Sequence, residues 1–506
     1  MGLYDFTFYD LINRNAVAFS NRNCWQEMDD GRQLTFAEYK IRVDLLAGGL
    51  SRVGVAKGDR IGVLGKNSLE FFLIYGAAAR LGAIVLPINW RLSADEVCYN
   101  LNDCQSKIVF ADEEFQHILK DNREQLPSVE ACFNLKGDQG DALQFTSLLE
   151  VGTQVHSGEV ASSDGFVIIH TAAVAGHPRG ALLSHGNILF ADMHFNHCME
   201  FTPQDVNLNL LPLFHVAGLF MATSTFHAGG SSLNISKFEA KETAKIIEEK
   251  AATLFFDFPP ILDSILKAAA EDQRDISSLR AIVGLGTPEV IEQFQSLSGG
   301  SYYSMYGQTE TSCLATIGKY NDRPGSAGKV IMLGDVQLVD EHDQSVAIGE
   351  VGEITVKGPM VFLGYWGLPE DNAYVFREGW HHTGDLGRFD TDGFLFYAGR
   401  KAEKELIKPG GENVYPAEVE KVILQHPAVA KTVVIGVPDP KWKEGIKAVC
   451  QLDVGKSLTA AELIAFVGER IARFKKPQYV EFVSDLPEKD DGTLDREAVK
   501  SLYGKS

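Results

Sequence analysis

Blocks of apolar and polar positions follow one another along the first 330 residues in an order that predicts alternating strands and helices. Thr35 and Glu38 have the spacing of a capping box and predict the start of a helix. Arg60–Leu64 is a short apolar strand, Ser68–Arg80 has helical periodicity, and Ala83–Ile88 is again strand-like. This order is typical of a parallel sheet covered by helices.

The same rhythm continues further along the chain. Ser93 and Glu96 predict a second capped helix. The most apolar run, Phe71–Ile88, contains Arg80 and Pro87, so a buried helix and strand explain it better than a membrane span. Further strands are predicted at Lys107–Ala111, Gly165–Thr171, Ala252–Phe256 and Ala281–Gly284.

The pattern changes near Val330, where short strands separated by Gly and Asp predict a smaller β-rich subdomain. The charged stretch Gly399–Lys408 then indicates a domain boundary, because few contacts cross such exposed segments. The expected fold class is α/β. A large N-terminal domain, residues 1–400, would hold parallel and mixed sheets covered by helices plus the β-rich subdomain. A small α+β C-terminal domain would follow at residues 401–506.

The composition restricts the kinds of partner. Asp and Glu (68) outnumber Lys and Arg (47), and the formal net charge of -21 argues against nucleic acid and anionic membranes. Seven cysteines without a CxxC pair favour a reducing cytoplasm over a disulfide framework or zinc site. The first residues lack a basic segment followed by an apolar core, so no signal peptide is expected. Oligomeric state stays open, with a homodimer as the default expectation.

The segment Ser304–Thr311 (SMYGQTET) carries the first chemical signal. It places the hydroxyl of Thr309 beside the carboxylate of Glu310 after a predicted strand. A hydroxyl can donate to a phosphate, and a carboxylate can hold Mg²⁺. Taken alone, a polar turn explains this segment at least as well.

Two further segments carry chemistry. Asp385 ends the glycine turn GWHHTGD and could accept both hydroxyls of a ribose, although a β-hairpin capped by Asp is the simpler explanation in isolation. Gly410 and Gly411 permit close approach of a ligand just before Pro416, which suits the first turn of a helix. A plain loop-to-helix junction is the alternative there.

In this order and spacing, the three segments resemble the adenylate-forming superfamily of acyl-CoA synthetases, luciferases and peptide-synthetase adenylation domains. The resemblance runs from about Leu34 to Arg496. It implies a large N-terminal domain that binds ATP and an acid, and a small mobile C-terminal domain with separate poses for adenylation and thioester formation. Other matching segments are Leu211–Gly218, Arg323–Gly328, Gly349–Trp366 and Pro369–Glu370.

The resemblance also implies roles for individual residues. Asp385 looks like the ribose-binding aspartate and Arg400 like its partner. Thr309 and Glu310 look like the contacts to phosphate and Mg²⁺, and His215 like the residue that gates the acid pocket. The hinge acid would be Glu405 or Glu403. The other positions implied to contact ATP or CoA are Thr171, Gly176, Gly284, Gly286, Tyr306, Gly307, Tyr397, Gly410 and Gly411.

The phosphate loop departs from the family pattern TSGTTGxPKG. The matching stretch, Thr171–Gly180 (TAAVAGHPRG), follows an apolar strand as expected, but Ser and Thr donors are replaced by Ala and Val. A family glycine has become Ala173, which resists the positive φ that lets amides wrap a phosphate. Arg179 replaces lysine and keeps the charge.

A second departure lies near the C-terminus. Thr493 stands where the family has a lysine that binds the acid and the α-phosphate. Loss of one preorganised donor of this kind costs on the order of 3 kcal/mol, roughly a hundredfold or more in rate. Lys489 could substitute only if the loop refolds.

Three interpretations follow. The favoured one is an ATP-dependent acid–CoA ligase in which Arg179, Mg²⁺ on Glu310 and Lys489 carry the charge. In the second, the enzyme is weak in ATP activation and uses a supplied acyl-adenylate for the thioester or amide half-reaction. In the third, the protein is a non-catalytic binder of nucleotides or acyl groups.

The partners implied are a small carboxylic acid, ATP and CoA. Phe256, Phe258 and Met305 suggest an apolar acid tail, aliphatic or aromatic, although such residues are more often ordinary core. Asp257 would contact the acid or, preferably, cap a turn. The pocket is expected near Phe214–His215, Phe255–Phe258, Gly284–Thr287 and Tyr302–Met305.

Overall fold

The computed structural model describes the chain from residue 5 to residue 504 with short gaps. The described ranges are 5–137, 142–150, 152–155, 158–171, 178–401, 406–409, 412, 414–440, 442–488 and 494–504. Among these residues, every helix falls short of the length and apolarity that crossing a membrane requires.

Helices occur throughout the described chain. They are α1 (Phe8–Ala18), α2 (Phe36–Arg52), α3 (Leu69–Leu81), α4 (Ala94–Asp103), α5 (Gln116–Asp121), α6 (Phe145–Leu149), α7 (His185–Cys198), α8 (Val216–Ala228), α9 (Ala240–Lys250), α10 (Ile261–Asp272), α11 (Pro288–Ser298), α12 (Pro369–Val375), α13 (Pro416–Ile423), α14 (Ala460–Gly468) and α15 (Arg496–Tyr503).

Strands alternate with these helices. They are β1 (Asn23–Glu27), β2 (Gln33–Thr35), β3 (Arg60–Leu64), β4 (Ile84–Ile88), β5 (Ile108–Ala111), β6 (Ala131–Asn134), β7 (Gly165–Thr171), β8 (Arg179–Ser184), β9 (Val206–Asn209), β10 (Ser231–Asn234), β11 (Leu254–Asp257), β12 (Ala281–Gly284), β13 (Ser301–Tyr306), β14 (Thr316–Lys319), β15 (Lys329–Val330), β16 (Asp335–Val339), β17 (Gly352–Lys357), β18 (Gly364–Tyr365), β19 (Phe376–Arg377), β20 (Trp380–Phe389), β21 (Leu395–Arg400), β22 (Val429–Asp439), β23 (Lys443–Leu452) and β24 (Tyr479–Val483).

Local sequence signals start the helices where they were predicted. The side chain of Thr35 caps α2 by accepting from the Glu38 amide, while the Glu38 carboxylate accepts from the Thr35 amide at 2.9 Å. Ser93 and Glu96 form the same reciprocal pair before α4. Each box satisfies two backbone donors that a helix start would otherwise leave unpaired.

A seven-stranded sheet confirms the predicted parallel arrangement. Its strands lie in the order β18-β8-β7-β4-β3-β5-β6, and the neighbours from β7 to β6 run parallel. The helix α3 between β3 and β4 ends at Gly82, whose φ of 69° is readily adopted by glycine. The apolar run Phe71–Ile88 is thus a buried helix followed by a buried strand, as predicted.

A nine-stranded sheet brings three chemistry-bearing loops to one edge. Its order is β15-β14-β13-β12-β11-β9-β10-β1-β2, and β11, β12 and β13 are parallel neighbours. In register, Asp257 lies beside Gly284, and Gly284 beside Ser304. Because parallel neighbours end at the same edge of a sheet, the loops that follow these three strands lie close together.

The predicted β-rich subdomain is a five-stranded antiparallel sheet. The strands lie in the order β16-β17-β20-β19, and β21 pairs with β20. Asp385 lies on β20 and Tyr397 on β21. The turn between these two strands therefore keeps both residues on one hairpin.

The chain divides into two compact units. The first comprises Met1–Trp90, Leu101–Ile169 and Gly180–Gly399, and the second comprises Arg91–Asn100, His170–Arg179 and Arg400–Ser506. The second unit contains a three-stranded sheet in the order β22-β23-β24, with an antiparallel hairpin followed by a parallel neighbour. Apolar residues of α13 and α14 share a core with this sheet.

Candidate active site

In the first unit, Asp385 lies at the centre of a hydrogen-bonded cluster. Its side chain is buried, and Oδ2 accepts from the Tyr306 hydroxyl at 2.8 Å and from the side-chain amide of Gln308. The same amide also donates to the Thr383 carbonyl at 3.1 Å. The ring of Tyr397 stacks on that of Tyr306 with centroids 6.2 Å apart. A fixed carboxylate beside stacked aromatic rings is suited to a nucleoside.

The backbone around Asp385 is fixed by β17. The hydroxyl of Thr383 donates to the Ile354 carbonyl at 2.6 Å and accepts from the Asp385 amide at 3.1 Å. The Gly384 amide donates to the buried carboxylate of Glu353 at 2.9 Å. These contacts fix Asp385 within strand β20, next to Gly384 with its φ of 69°, so the tight glycine turn expected from the sequence is wrong.

Thr309 and Glu310 form one turn of 3₁₀ helix directly after β13. The Gln308 amide donates to the Thr311 hydroxyl at 2.9 Å, and the Cys313 amide donates to the Gln308 carbonyl at 2.9 Å. Gly307 is required by close packing, because a Cβ there would lie 2.0 Å from the Cys313 carbonyl oxygen. The turn is therefore compact.

Glu310 offers a hard oxygen donor within this turn. Its side chain is 8% exposed, and Oε1 accepts from the Tyr365 hydroxyl at 2.7 Å. Mg²⁺ is usually held by one or two carboxylates together with substrate phosphates. The Glu310 carboxylate fits that requirement.

The thiol of Cys313 lies beside the turn but is unsuited to nucleophilic chemistry. It is buried, and burial raises its pKa to about 12. Because the thiolate is the reactive form, this cysteine stays inert near neutral pH.

The glycine loop Gly284–Gly286 is supported by Tyr302. The Gly286 amide donates to the Tyr302 hydroxyl at 2.5 Å, and that hydroxyl donates to Asp257 Oδ2 at 3.2 Å. Asp257 also accepts from the Leu262 amide at 3.0 Å, which agrees with the preferred capping role. A Cβ at Gly284 would lie 2.0 Å from the Asp257 carbonyl oxygen. Tyr302, expected to lie near the pocket lining, is instead fully buried beneath the loop.

His215 begins α8 and faces aromatic residues. Its Nδ1 accepts from the Ala217 amide at 3.3 Å, so the ring caps the helix. The Phe258 ring meets the His215 ring edge-on with centroids 5.8 Å apart, and Phe256 stacks on Phe258 at 5.3 Å. The sequence prediction that His215 lies near Phe256 and Phe258 matches this geometry.

Other predicted residues belong to the second unit. Thr171 ends β7, and its hydroxyl donates to the Arg179 carbonyl at 3.4 Å. Arg179 is buried at the start of β8. The Arg400 guanidinium donates to the Tyr415 hydroxyl at 3.5 Å. Gly176, Glu403, Glu405, Gly410, Gly411, Lys489 and Thr493 lie outside the described residues, as do Ala172–Ala175 of the phosphate loop.

The sequence did not reveal the roles of Gln308, Thr383 and Tyr365. Gln308 is the middle residue of a motif that was recognised, and Tyr365 lies in a matching segment to which no role was given. Gln308 contacts Asp385, which lies 77 residues away along the chain, and Tyr365 contacts Glu310, which lies 55 residues away. Correlated substitutions at these residue pairs among homologous sequences would have revealed the two contacts.

The sequence matches the AMP-binding enzyme family over residues 12–366 and the AMP-binding enzyme C-terminal domain over residues 418–492. The chain belongs to the AMP-binding enzyme family.

Relatives of this AMP-binding enzyme match along nearly its whole length. It is 34% identical to an indoleacetate–CoA ligase of Aromatoleum aromaticum over 482 residues, covering 94% of each chain. It is 32% identical to a feruloyl-CoA synthase of Amycolatopsis sp, covering 94% of this chain and 95% of that one. A double mutant of o-succinylbenzoate CoA synthetase from Bacillus subtilis, solved with the product analogue OSB-NCoA, has a TM-score of 0.86. That structure is 28% identical and covers 97% of each chain.

These comparisons confirm the predicted enzyme class and fold class. The protein is an AMP-forming acid–thiol ligase with the α/β architecture of adenylate-forming enzymes. The interpretation as a non-catalytic binder is therefore not favoured. The acid and the roles of individual residues are separate questions.

Proposed function

We propose that this AMP-binding enzyme activates an aromatic carboxylic acid with ATP and Mg²⁺ and transfers the acyl group to CoA. The observation that carries the choice of acid is the aromatic cluster of Phe256, Phe258 and His215, in which Phe256 is buried and Phe258 and His215 are partly exposed. Aromatic rings prefer offset-stacked or edge-on partners, and each such pair contributes about 0.5–1.5 kcal/mol beyond area burial. An aryl or arylalkyl acid gains this energy, whereas a short aliphatic acid does not.

The names of two relatives support an aromatic acid. Indoleacetate and ferulate both carry an aromatic ring joined to the carboxylate through a short carbon link. The relatives share only about a third of their residues with this chain, so they support a class of acid and not one compound.

In the first step, a carboxylate oxygen of the acid attacks the α-phosphorus of ATP. The bond from that phosphorus to the bridging oxygen breaks, pyrophosphate leaves, and an acyl-adenylate forms. Asp385 would accept from the ribose hydroxyls while Tyr306 flanks the adenine. Thr309 would donate to phosphate, and Arg179 would supply positive charge near the phosphate loop. Mg²⁺ held at Glu310 would neutralise phosphate charge.

In the second step, the thiol of CoA attacks the acyl carbon, AMP leaves, and the thioester forms. The thiol proton passes to solvent as the sulfur–carbon bond forms. The chain supplies no nucleophile in this scheme, since positioning and charge stabilisation carry both steps. Gly410, Gly411 and Arg400 are proposed to contribute to this half-reaction.

The test separates the two steps. The enzyme is incubated with ATP, Mg²⁺ and either indoleacetate, ferulate, benzoate or octanoate, and pyrophosphate release is measured before CoA is added. We expect acid-dependent pyrophosphate release with aromatic acids, followed by CoA-dependent AMP release. If preformed aryl-adenylates with CoA give thioester while no acid releases pyrophosphate, the enzyme performs only the second half-reaction. Equal kcat/KM for octanoate and the aromatic acids would contradict an aromatic preference.

Two substitutions of Thr493 test whether the absence of the family's lysine at this position slows the first step. Thr493→Lys restores the ammonium that the family pattern carries, and Thr493→Met has a long side chain without the charge. Because one preorganised donor is worth roughly a hundredfold or more in rate, we expect Thr493→Lys to raise pyrophosphate release at least roughly tenfold. Thr493→Met should not. Equal rates for both variants would show that the charge at this position does not limit adenylation.

A further inference from the structure

The segment Met360–Trp366 borders the turn that carries Glu310. Its Phe362 amide donates to the Glu310 carbonyl at 2.9 Å, and the Met360 carbonyl accepts from the Ser312 hydroxyl at 2.6 Å. Met360 and Ser312 are fully buried. The segment therefore fixes the backbone of the turn on both sides of Glu310.

The opposite edge of the same segment pairs with the strand that leaves the phosphate loop. The Leu363 amide donates to the Leu182 carbonyl at 2.9 Å, and the Trp366 amide donates to the Gly180 carbonyl at 2.7 Å. β18 and β8 are antiparallel neighbours in the seven-stranded sheet. One short segment thus connects β8 with the Glu310 turn by backbone hydrogen bonds.

The side chain of Tyr365 is fixed within this segment. It is 3% exposed, and its ring meets the Phe362 ring edge-on with centroids 4.9 Å apart. The Tyr365 amide donates to Asn372 Oδ1 at 2.6 Å, and Asn372 Nδ2 donates back to the Tyr365 carbonyl at 2.9 Å. The Tyr365 hydroxyl consequently has a fixed position, from which it donates to Glu310 Oε1 at 2.7 Å.

We propose that Tyr365 is a positioning residue that orients the Glu310 carboxylate toward nucleotide-bound Mg²⁺. The proposal rests on the proposed role of Glu310 as the metal ligand. A hydroxyl on one carboxylate oxygen selects one orientation of the group and leaves the other oxygen to face the ligand. Partners that orient a ligating carboxylate change metal affinity or activity roughly 10- to 100-fold when they are removed. A hydroxyl that merely satisfied a buried carboxylate would affect stability and leave metal dependence unchanged.

The experiment measures ATP affinity in the full chain by calorimetry, with Mg²⁺ and with EDTA, in the absence of acid and CoA. The variants are Tyr365→Phe, which removes only the hydroxyl, and Glu310→Gln, which removes the charge. Tyr374→Phe is the matched control, because Tyr374 lies on the neighbouring α12 and is 54% exposed. We expect Tyr365→Phe to weaken binding of ATP with Mg²⁺ roughly tenfold or more and to leave binding in EDTA unchanged. Tyr374→Phe should match the wild type.

Other outcomes overturn the proposal, and they separate it from the role of Glu310. If Glu310→Gln weakens Mg²⁺-dependent binding and Tyr365→Phe does not, Glu310 is the metal ligand but Tyr365 does not orient it. If Tyr365→Phe weakens binding equally with Mg²⁺ and with EDTA, the hydroxyl has a general structural role. If Glu310→Gln has no metal-dependent effect, the proposed role of Glu310 fails, and the role of Tyr365 fails with it.

Discussion

At the residue scale, Asp385 shows how neighbouring groups fix the orientation of a buried carboxylate. Asp385 is surrounded by the hydroxyl of Tyr306, the amide of Gln308 and the backbone fixed by Thr383. Each donor restricts the carboxylate to one orientation. An acceptor that is already ordered loses little entropy when a ribose binds.

Replacing Asp385 tests its predicted role. Asp385→Asn keeps the shape but removes the charge and introduces a donor. Because a hydrogen bond to a charged group is worth about 1.5–3 kcal/mol, we expect ATP affinity to fall roughly 10- to 150-fold. The measurement is calorimetric titration with ATP. The control is Asp392→Asn in the turn that follows β20, where the aspartate is 61% exposed and pairs with Arg323. Equal affinities for the two variants would refute the ribose assignment.

The sequence allowed ligand-binding roles to be predicted for a few residues, but it did not indicate which residues support them. Asp385, Thr309 and Glu310 lie in short motifs whose chemistry can be read locally. Tyr365 lies on β18 of the seven-stranded sheet, whereas Glu310 follows β13 of the nine-stranded sheet, so no local pattern predicts their hydrogen bond. The contact of Tyr302 with the glycine loop depends on the parallel pairing of β12 with β13, which no local pattern predicts either.

At the element scale, helices α7 and α8 combine apolar packing with one buried polar cluster. Asp192 on α7 is fully buried and accepts from the hydroxyls of Thr223 at 2.7 Å and Ser224 at 3.0 Å on α8. His227 Nδ1 lies 3.6 Å from the other carboxylate oxygen. The periodicity of these helices did not reveal the cluster, whereas the capping boxes at Thr35 and Ser93 were predicted because they are local.

Removing the Asp192 carboxylate should destabilise the protein. Asp192→Ala removes the acceptor of the buried Ser224 hydroxyl and leaves the Thr223 hydroxyl only the Phe220 carbonyl at 3.4 Å, and an unsatisfied buried group costs about 1–3 kcal/mol. We expect the free energy of unfolding to fall by about 2–4 kcal/mol, as measured by urea denaturation. Asp192→Asn, which keeps an acceptor oxygen, should cost less. A loss below about 0.5 kcal/mol for Asp192→Ala would contradict the prediction.

The same cluster predicts a pH dependence. Burial raises the pKa of Asp192 above its ordinary value, although His227, Thr223 and Ser224 act in the opposite direction. A raised folded-state pKa means that the stabilisation is fully present below the unfolded pKa of about 4 and is lost as the pH rises through the folded value. The Asp192→Asn variant has no ionisable side chain at this position. The stability advantage of the wild type over Asp192→Asn should therefore shrink from pH 4 upward, and a constant difference would be contrary evidence.

At the scale of the whole molecule, the second unit is assembled from distant parts of the chain. The ammonium of Lys475 lies 2.6 Å from Glu96 and 2.6 Å from Glu418, and its side chain is 5% exposed. Burial opposes the charge, but Glu418 and Glu96 outweigh it and raise the pKa of Lys475. The sequence predicted a boundary near residue 400 from its charge. It gave no sign that segment Arg91–Asn100 joins the second unit, because residues 96 and 475 share no local pattern.

Neutralising Lys475 should loosen the second unit. Lys475→Met leaves two largely buried carboxylates without their cation, and breaking such a pair typically costs about 3–5 kcal/mol. We expect protection of the β23 amides against hydrogen exchange to fall roughly a hundredfold or more. Lys476→Met is the matched neighbour and should leave the exchange unchanged. Equal exchange in both variants would show that the ion pairs of Lys475 with Glu96 and Glu418 do not stabilise the sheet.

The triad of Glu96, Glu418 and Lys475 joins distant parts of the chain, and this has a consequence for evolution and for engineering. A graft that exchanges residues 400–506 for those of a relative would place a foreign side chain opposite Glu96. Positions 96, 418 and 475 should therefore be inherited together, and a lineage that loses the lysine should lose an acid as well. A hybrid ligase would need residues 91–100 from the same parent as residues 400–506.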